Sequence, residues 1–420
     1  MFTEIKSKKI YDKYFFLLFL SIVSIFTFIY LFSLFRIINL WTFTEAHINY
    51  FNGFTNRGLF GTLMLLSNKY LFVPIKFFYS TFFYLFSIIN ITIFFLLIRK
   101  FKKNYLILTF LILNPALLLF SFYDLGGYAR FEIIAITSLL LHVYFAQKFY
   151  LGKISIINYF DYLKFIILPL IAIFILINEI IVFLIPAHIF ISLNILDKKK
   201  HFQKMLIYFF LIIPIYFIYE NKLDIEIAKN IFNNLDRKEN INFWILEAIA
   251  NPSLLSRYQI ESEHMFTFKN IFKYSLVFII FFIPIFCLFN YLRIKKYTVV
   301  KRNYLLLLSI LPIFLICFIA RDWGRWFHLI IITTFCYYIQ FPVKKKIDIK
   351  TQTNYFFYLK HLTIICFLSV YLFTIRIPHC CNIDKLQISI YGGAIIKTIV
   401  LYDMIFVKKL IIDDRFKSFN

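Results

Sequence analysis

The chain has 420 residues, 61% of them hydrophobic, and a formal net charge of +24, with a mean hydropathy of +0.77. A soluble globular domain is nearer half apolar, so this composition excludes one. The positive excess argues against nucleic-acid binding once its placement is read: the lysines fall between apolar runs, and no basic amphipathic domain lies outside them.

Crossing a bilayer takes about 20 apolar residues. Such runs are predicted near residues 15–40, 71–98, 104–121, 132–147, 163–177, 180–196, 203–219, 271–292, 303–320, 327–342 and 355–376. The expected fold class is therefore all-α, a polytopic helical membrane bundle of about eleven transmembrane helices. One transmembrane domain covers 1–376, and an interfacial tail covers 377–420. In that tail the run Ile395–Phe406 is short and interrupted by Asp403. The first run follows a basic start and is far longer than a signal-peptide core, so it reads as an anchor that stays. The halves 163–177 and 180–196 meet at Asn178-Glu179, each about 23–26 Å long at 1.5 Å per residue. A tight hairpin with Glu179 at its tip keeps the charge pattern regular.

Connections Lys6–Lys13, Arg99–Lys103, Lys148–Lys164, Lys198–Lys204, Arg293–Arg302 and Lys344–Lys350 alternate with Trp41–Arg57, Tyr123–Glu132, Asn178–Glu179, Glu220–Asn270 and Arg321–His328. The positive-inside rule assigns the first, lysine-rich set to the cytoplasm together with the N-terminus. The second set, with the residues up to Gly61 that follow its first member, holds all four tryptophans and six of the nine glycines, which marks the face where shaped, non-helical structure is built.

On that face the first connection places Glu45 just beyond the first run, and Asn56-Arg57-Gly58 is predicted to cap and open a short apolar helix reaching about Leu66. An arginine at a helix N-terminus among glycines suits a phosphate; the plainer reading is a snorkelling anchor. The second connection packs Asp124, Arg130 and Glu132 around Gly126-Gly127, as a substrate-facing loop or a solvated turn with an Asp124–Arg130 pair. Glu179, flanked by Ile177 and Ile180, is costly in lipid and faces a polar cavity by default. The larger loop over 220–270 has helical apolar spacing through Ile225, Ile227, Ile231 and Phe232, then Phe243, Ile245, Leu246 and Ile249. With its break at Asn251-Pro252-Ser253 it reads as two short interfacial helices. Arg321-Asp322-Trp323-Gly324-Arg325-Trp326 brings two cations, one acid and two indoles to a span entrance. The interfacial aromatic belt accounts for the indoles but not for the bracketing arginines.

His47, His264 and His328 share this face with Glu45 and Asp322 but have no metal-ligand spacing, and the six cysteines form neither a CxxC pattern nor a disulfide framework. No metal or cofactor is expected, and no P-loop or GxGxxG is present.

Carboxylates and arginines at the mouths of a lipid-facing bundle suit transfer of a saccharide from a lipid-linked phosphate to a hydroxyl. Arg57, Arg321 and Arg325, with Asp124 and Arg130, would hold phosphate and sugar, and Trp323 and Trp326 would stack on sugar faces. Glu45 or Glu179 would take the acceptor proton, and Asp322 would organise its arginines. With the acid after the first span, the chain resembles the GT-C superfamily of polyprenyl-dependent glycosyltransferases. With its aromatic richness, its one larger loop and the motifs Asn56-Arg57-Gly58-Leu59-Phe60-Gly61, Asn178-Glu179 and Asp322-Trp323-Gly324-Arg325-Trp326, it resembles bacterial Wzy-type O-antigen polymerases. It departs from the GT-C pattern in carrying Glu45 where a first-loop aspartate is usual. The resemblance implies an inner-membrane enzyme of surface-polysaccharide assembly, acting on polyprenyl-linked saccharides at the periplasmic face, with a chain-length regulator as a partner. The competing expectations are a single-sugar transferase and, in a different class, a lipid-linked sugar flippase or transporter.

Overall fold

The computed structural model describes residues 2–35, 40–101, 105–114, 116–120, 130–195, 206–235, 241–251, 296–316 and 323–342, with scattered positions between 268 and 285. The expected span at 355–376, the tail over 377–420, and Asp124, Arg321, Asp322 and His264 lie outside the described residues. Within them all regular structure is helical: α1 (Phe2–Phe35), α2 (Leu40–Glu45), α3 (Gly58–Leu71), α4 (Ile75–Ile98), α5 (Tyr105–Leu113), α6 (Glu132–Tyr150), α7 (Ile156–Ile177), α8 (Glu179–Ile195), α9 (Ile212–Glu220), α10 (Ile225–Asn233), α11 (Phe243–Ala250), α12 (Lys296–Ile316) and α13 (Trp323–Ile339).

Four described helices are long and apolar enough to cross a membrane, over Asp12–Phe35, Ile75–Phe101, Glu132–Tyr150 and Ile156–Ile177. The last of these corrects the expected short half-span at 163–177: the helix starts at Ile156, where Ser155 accepts a hydrogen bond from the Asn158 N–H. Pro169 lacks the N–H that an α-turn needs there, and the helix widens into a π turn over Leu163–Ile167. At its far end Asn178 leaves the helical region and caps the next segment, accepting from the Ile180 N–H, so the chain reverses with Glu179 at the break.

Large apolar side chains lie on the outside as well as in the core, and several polar side chains are buried. Phe28, Phe32, Leu85, Ile89, Phe165, Ile173, Leu307 and Phe314 are exposed, while Asn90, Asn114, Glu132, His142, Gln147 and His188 are buried. Apolar surface outside with polar side chains turned inward is the arrangement that lipid selects. The buried groups brace the helices. Ser138 donates to the Ala135 carbonyl at 2.8 Å, so its oxygen accepts from His188 Nε2 at 3.3 Å. His188 Nδ1 is then the acceptor for His142 Nδ1 at 2.9 Å, and His142 Nε2 accepts from the Tyr159 hydroxyl at 2.7 Å. Both rings are satisfied as neutral imidazoles, and the chain ends on a helix carbonyl.

Helices α1 and α4 run antiparallel, with Phe15 and Phe19 against Phe95 at one end. At the other end, the Thr27 and Tyr84 hydroxyls are 2.9 Å apart and those of Tyr30 and Thr81 3.2 Å apart. The bundle has two chemically different ends. At one, Lys100 Nζ donates to the Ile339 and Phe341 carbonyls, Gln147 donates to Leu97 and Ile339, and Tyr150 donates to Asn194. At the other sit Glu45, Arg57 and Glu179.

Candidate functional site

After α2 the backbone turns back on itself, with Ala46, His47 and Ile48 donating to the Thr42, Thr44 and Glu45 carbonyls at 2.9–3.1 Å. Asn49 locks the turn by donating to the His47 carbonyl at 2.8 Å and accepting from the Phe51 N–H at 3.0 Å. This loop packs against the first turn of α3 so closely that a Cβ on Gly61 would stand 2.7 Å from the Ala46 carbonyl oxygen and closer still to that of Ile48. Glycine at 61 is what lets the carboxylate of Glu45 approach α3.

Arg57 adopts a left-handed conformation, φ 62° and ψ 3°, as the N-cap of α3, with no side-chain cap bond. This corrects the expected role of Asn56. Its side chain accepts from the Leu223 N–H at 3.2 Å and its backbone N–H bonds the Asn221 carbonyl, so it ties down the later loop instead of capping the helix.

Arg57 gathers both candidate bases. Its Nε donates to Glu179 Oε2 at 2.7 Å and its Nη2 to Glu179 Oε1, a two-pronged pairing, while its Nη1 donates to Glu45 Oε1 at 2.8 Å. Asn178 Nδ2 adds a second bond to the same Glu45 oxygen at 2.9 Å. Both bonds that hold Glu45 fall on Oε1, and Oε2 receives none among the described residues. The set is two carboxylates to one guanidinium. Burial works against charge on Arg57, but the two carboxylates more than offset it and raise its pKa. A carboxyl in so apolar a setting as that of Glu179 would by itself be lifted toward the range of a base. Burial does push it up, but the Arg57 charge and hydrogen bonds pull it below its ordinary value.

A second pair lies deeper. Glu132, the buried first residue of α6, is ion-paired with Arg325 of α13, whose guanidinium lies over the Trp326 ring at 5.1 Å. The neighbouring Ile133 carbonyl accepts from Asn90 Nδ2 at 2.9 Å, whereas the α2 end of the first site meets α4 at Tyr79, through Phe43. Eleven residues along α4 correspond to roughly 16 Å. Below the deeper pair, Ser87, Asn90 and His328 border a small cavity, with His328 Nδ1 donating to the Ala116 carbonyl at 2.7 Å.

Of the residues singled out from the sequence, Glu45, Arg57 and Glu179 therefore come together, and Arg325 joins a different acid. Arg130 is half-buried at the start of α6. Trp326 is only 7% exposed, which leaves no ring face for a sugar. The side chain of Trp323, like Asp124, Arg321 and Asp322, lies outside the described residues. Asn178 and Glu132 were named in the sequence only as members of their connections; that Asn178 holds Glu45 and that Glu132 pairs with Arg325 came with the structure.

The loop after α9 covers this end as two short helices, α10 and α11. They part at 234–242, and the expected break at Asn251 instead ends the second, where its backbone N–H bonds the Glu247 carbonyl. The loop is tied along the first connection. Asn234 donates to Asn52 at 2.7 Å, the Asn242 N–H to Thr44 Oγ1 at 3.3 Å, and Trp244 meets Trp41 edge-to-face at 5.9 Å. Among the described residues no three His, Cys, Asp or Glu side chains are grouped to hold a metal ion. Compared with protein-family models, with curated proteins and with solved structures, the chain matches none.

Proposed function

We propose that the chain is a membrane glycosyltransferase that joins polyprenyl-phosphate- or pyrophosphate-linked saccharide units at the periplasmic face of a bacterial inner membrane, in surface-polysaccharide assembly. The observation that carries this reading is Glu45: a buried carboxylate fixed through one oxygen by Arg57 and Asn178, with the other oxygen open, at the end of an apolar bundle. Such a group takes the proton of an acceptor hydroxyl as its oxygen bonds the anomeric carbon. The bond from that carbon to the phosphate oxygen breaks, and the electron pair leaves with the phosphate.

Roles divide by geometry. Glu45 is the base. Glu179 and Asn178 are positioning residues that hold Arg57 and Glu45, and Glu179, with its lowered pKa, is the poorer base. Arg57 spends three N–H groups on carboxylates and so orients the base, while Arg130, Arg321 and Arg325 are the cations for the phosphate and Asp124 is an acceptor for a sugar hydroxyl. Arg325 lies deeper than Glu45, where a phosphate with its chain among apolar helices belongs. Purified protein given lipid-linked saccharide is expected to lose transfer by at least about 100-fold in Glu45→Gln. Glu179→Gln should lose less and keep the wild-type pH profile. Full turnover in Glu45→Gln would sink the assignment. Products bearing one added sugar rather than a polymer would point to the single-sugar transferase.

A carrier or flippase is the second reading, favoured by the Glu132–Arg325 pair inside the bundle, since ionisable groups at that depth mark substrate paths. Saccharide translocation into liposomes without transfer would select it.

A further inference from the structure

We infer that Trp41 and Trp244 form the platform on which the acceptor saccharide lies, a subsite that rests on the glycosyl-transfer reading. The two indoles are 37% and 40% exposed and meet edge-to-face, so the pair presents aromatic surface to the outside of the bundle. Trp41 stands four residues before Glu45 on α2, so both project from one side of that helix, a single turn apart. Trp244 is delivered to the same place by the later loop. The Asn242 N–H holds Thr44, the residue before Glu45, and the Asn242 side chain accepts from the Trp244 N–H at 3.0 Å. The segment that carries this indole is thereby tied next to the catalytic turn through its backbone, and the ring itself meets Trp41.

The surroundings suit a sugar. A saccharide ring offers an apolar C–H face and a rim of hydroxyls, which an indole face and side-chain amides match respectively. Asn242, two residues before Trp244, is exposed, and the bonded amides of exposed Asn234 and half-buried Asn52 lie between the same two connections. A tryptophan of the interfacial belt needs only a lipid-facing position. It does not need to be paired across two connections, next to an amide-rich loop and one turn from a buried carboxylate. The ring that the sequence offered for this task, Trp326, is closed by Arg325 and its own burial.

The test uses the full-length protein in nanodiscs. The probe is the saccharide released by mild acid from lipid-linked material extracted from cells lacking the gene. This saccharide is expected to quench tryptophan fluorescence saturably, with half-saturation rising about tenfold in Trp41→Ala and in Trp244→Ala, and less in Trp41→Phe. In transfer assays the KM for acceptor should rise with kcat nearly unchanged. The same half-saturation in the alanine variants overturns the platform. So does quenching of these two indoles by brominated lipid with none by saccharide, which would make them membrane anchors. Saccharide binding with no transfer refutes the enzyme reading and leaves the subsite, whereas transfer with an unchanged KM refutes the subsite alone.

Discussion

Arg57 holds a backbone conformation that a residue with a Cβ adopts only at a cost of roughly 1–2 kcal/mol, and three charge-assisted bonds to Glu45 and Glu179 keep it there. Strain of this kind, over-determined by its surroundings, is a mark of a working site. The adjoining turn depends on His47, whose buried ring donates from Nδ1 to the Phe43 carbonyl at 2.7 Å and packs edge-on to Phe43. Burial lowers the His47 pKa from 6.5 to about 4, the backbone bond opposing only in part. Below pH 6.5 the unfolded chain therefore takes up a proton that the folded turn refuses. Stability is present above that pH and is lost as pH falls toward 4, by on the order of 3 kcal/mol. The Glu179 carboxyl, held low by Arg57, loses stability in the same direction but at more acid pH. Thermal unfolding in detergent should thus show wild type losing more than His47→Gln between pH 6.5 and pH 4, and parallel curves would show that His47 carries no such linkage.

The covering loop is held to the first connection by bonds between neutral groups at Asn52, Asn56 and Thr44, each contributing about 0.5–1.5 kcal/mol. In a variant freed of its native cysteines, Asn52→Cys with Asn234→Cys should be joined by a short bifunctional thiol reagent, whereas Asn52→Cys with the outward-facing Asn233→Cys should react far less. Equal yields would mean that the loop does not lie where its contacts place it. The helices of this loop were legible because apolar residues recur at helical spacing; the caps Asp224 and Asn242, which accept from the Ile227 and Trp244 backbone N–H groups, came only with the structure. The spans expected at 71–98 and 132–147 were legible from apolar length, though the first starts only at Ile75 and the second runs on to Tyr150. The meeting of Glu45 with Glu179 was partly legible, since each is an acid that lipid penalises. Their sharing of Arg57 was not, because no local pattern records which polar groups pair across more than a hundred residues. Trp244 was passed over for a similar reason: nothing in its own segment reveals that Asn242 docks on Thr44.

At the scale of the whole molecule the two ends divide the charges. Arg99, Lys100, Lys148 and Lys153 belong to one end, and Glu45, Glu132 and Glu179 with their arginines to the other, separated by exposed Phe28, Leu85, Phe165 and Leu307. Basic connections are retained on the cytoplasmic side during insertion, so the orientation expected from the charges has Lys153 inside and the α10 segment outside. That orientation is a condition of the proposed chemistry, because a nucleotide-independent transfer from a polyprenyl donor belongs to the face where nucleotide sugars are absent. In cysteine-free protein expressed in intact cells, Lys153→Cys should react with a membrane-impermeant maleimide only after permeabilisation, and Asn233→Cys should react before it. Both positions are exposed, so accessibility to solvent does not limit either. The reverse pattern would place the Glu45 end in the cytoplasm and remove the ground for periplasmic transfer. It would leave the carboxylate–arginine geometry intact, and a transporter or a cytoplasm-facing transferase would then be the reading that fits it.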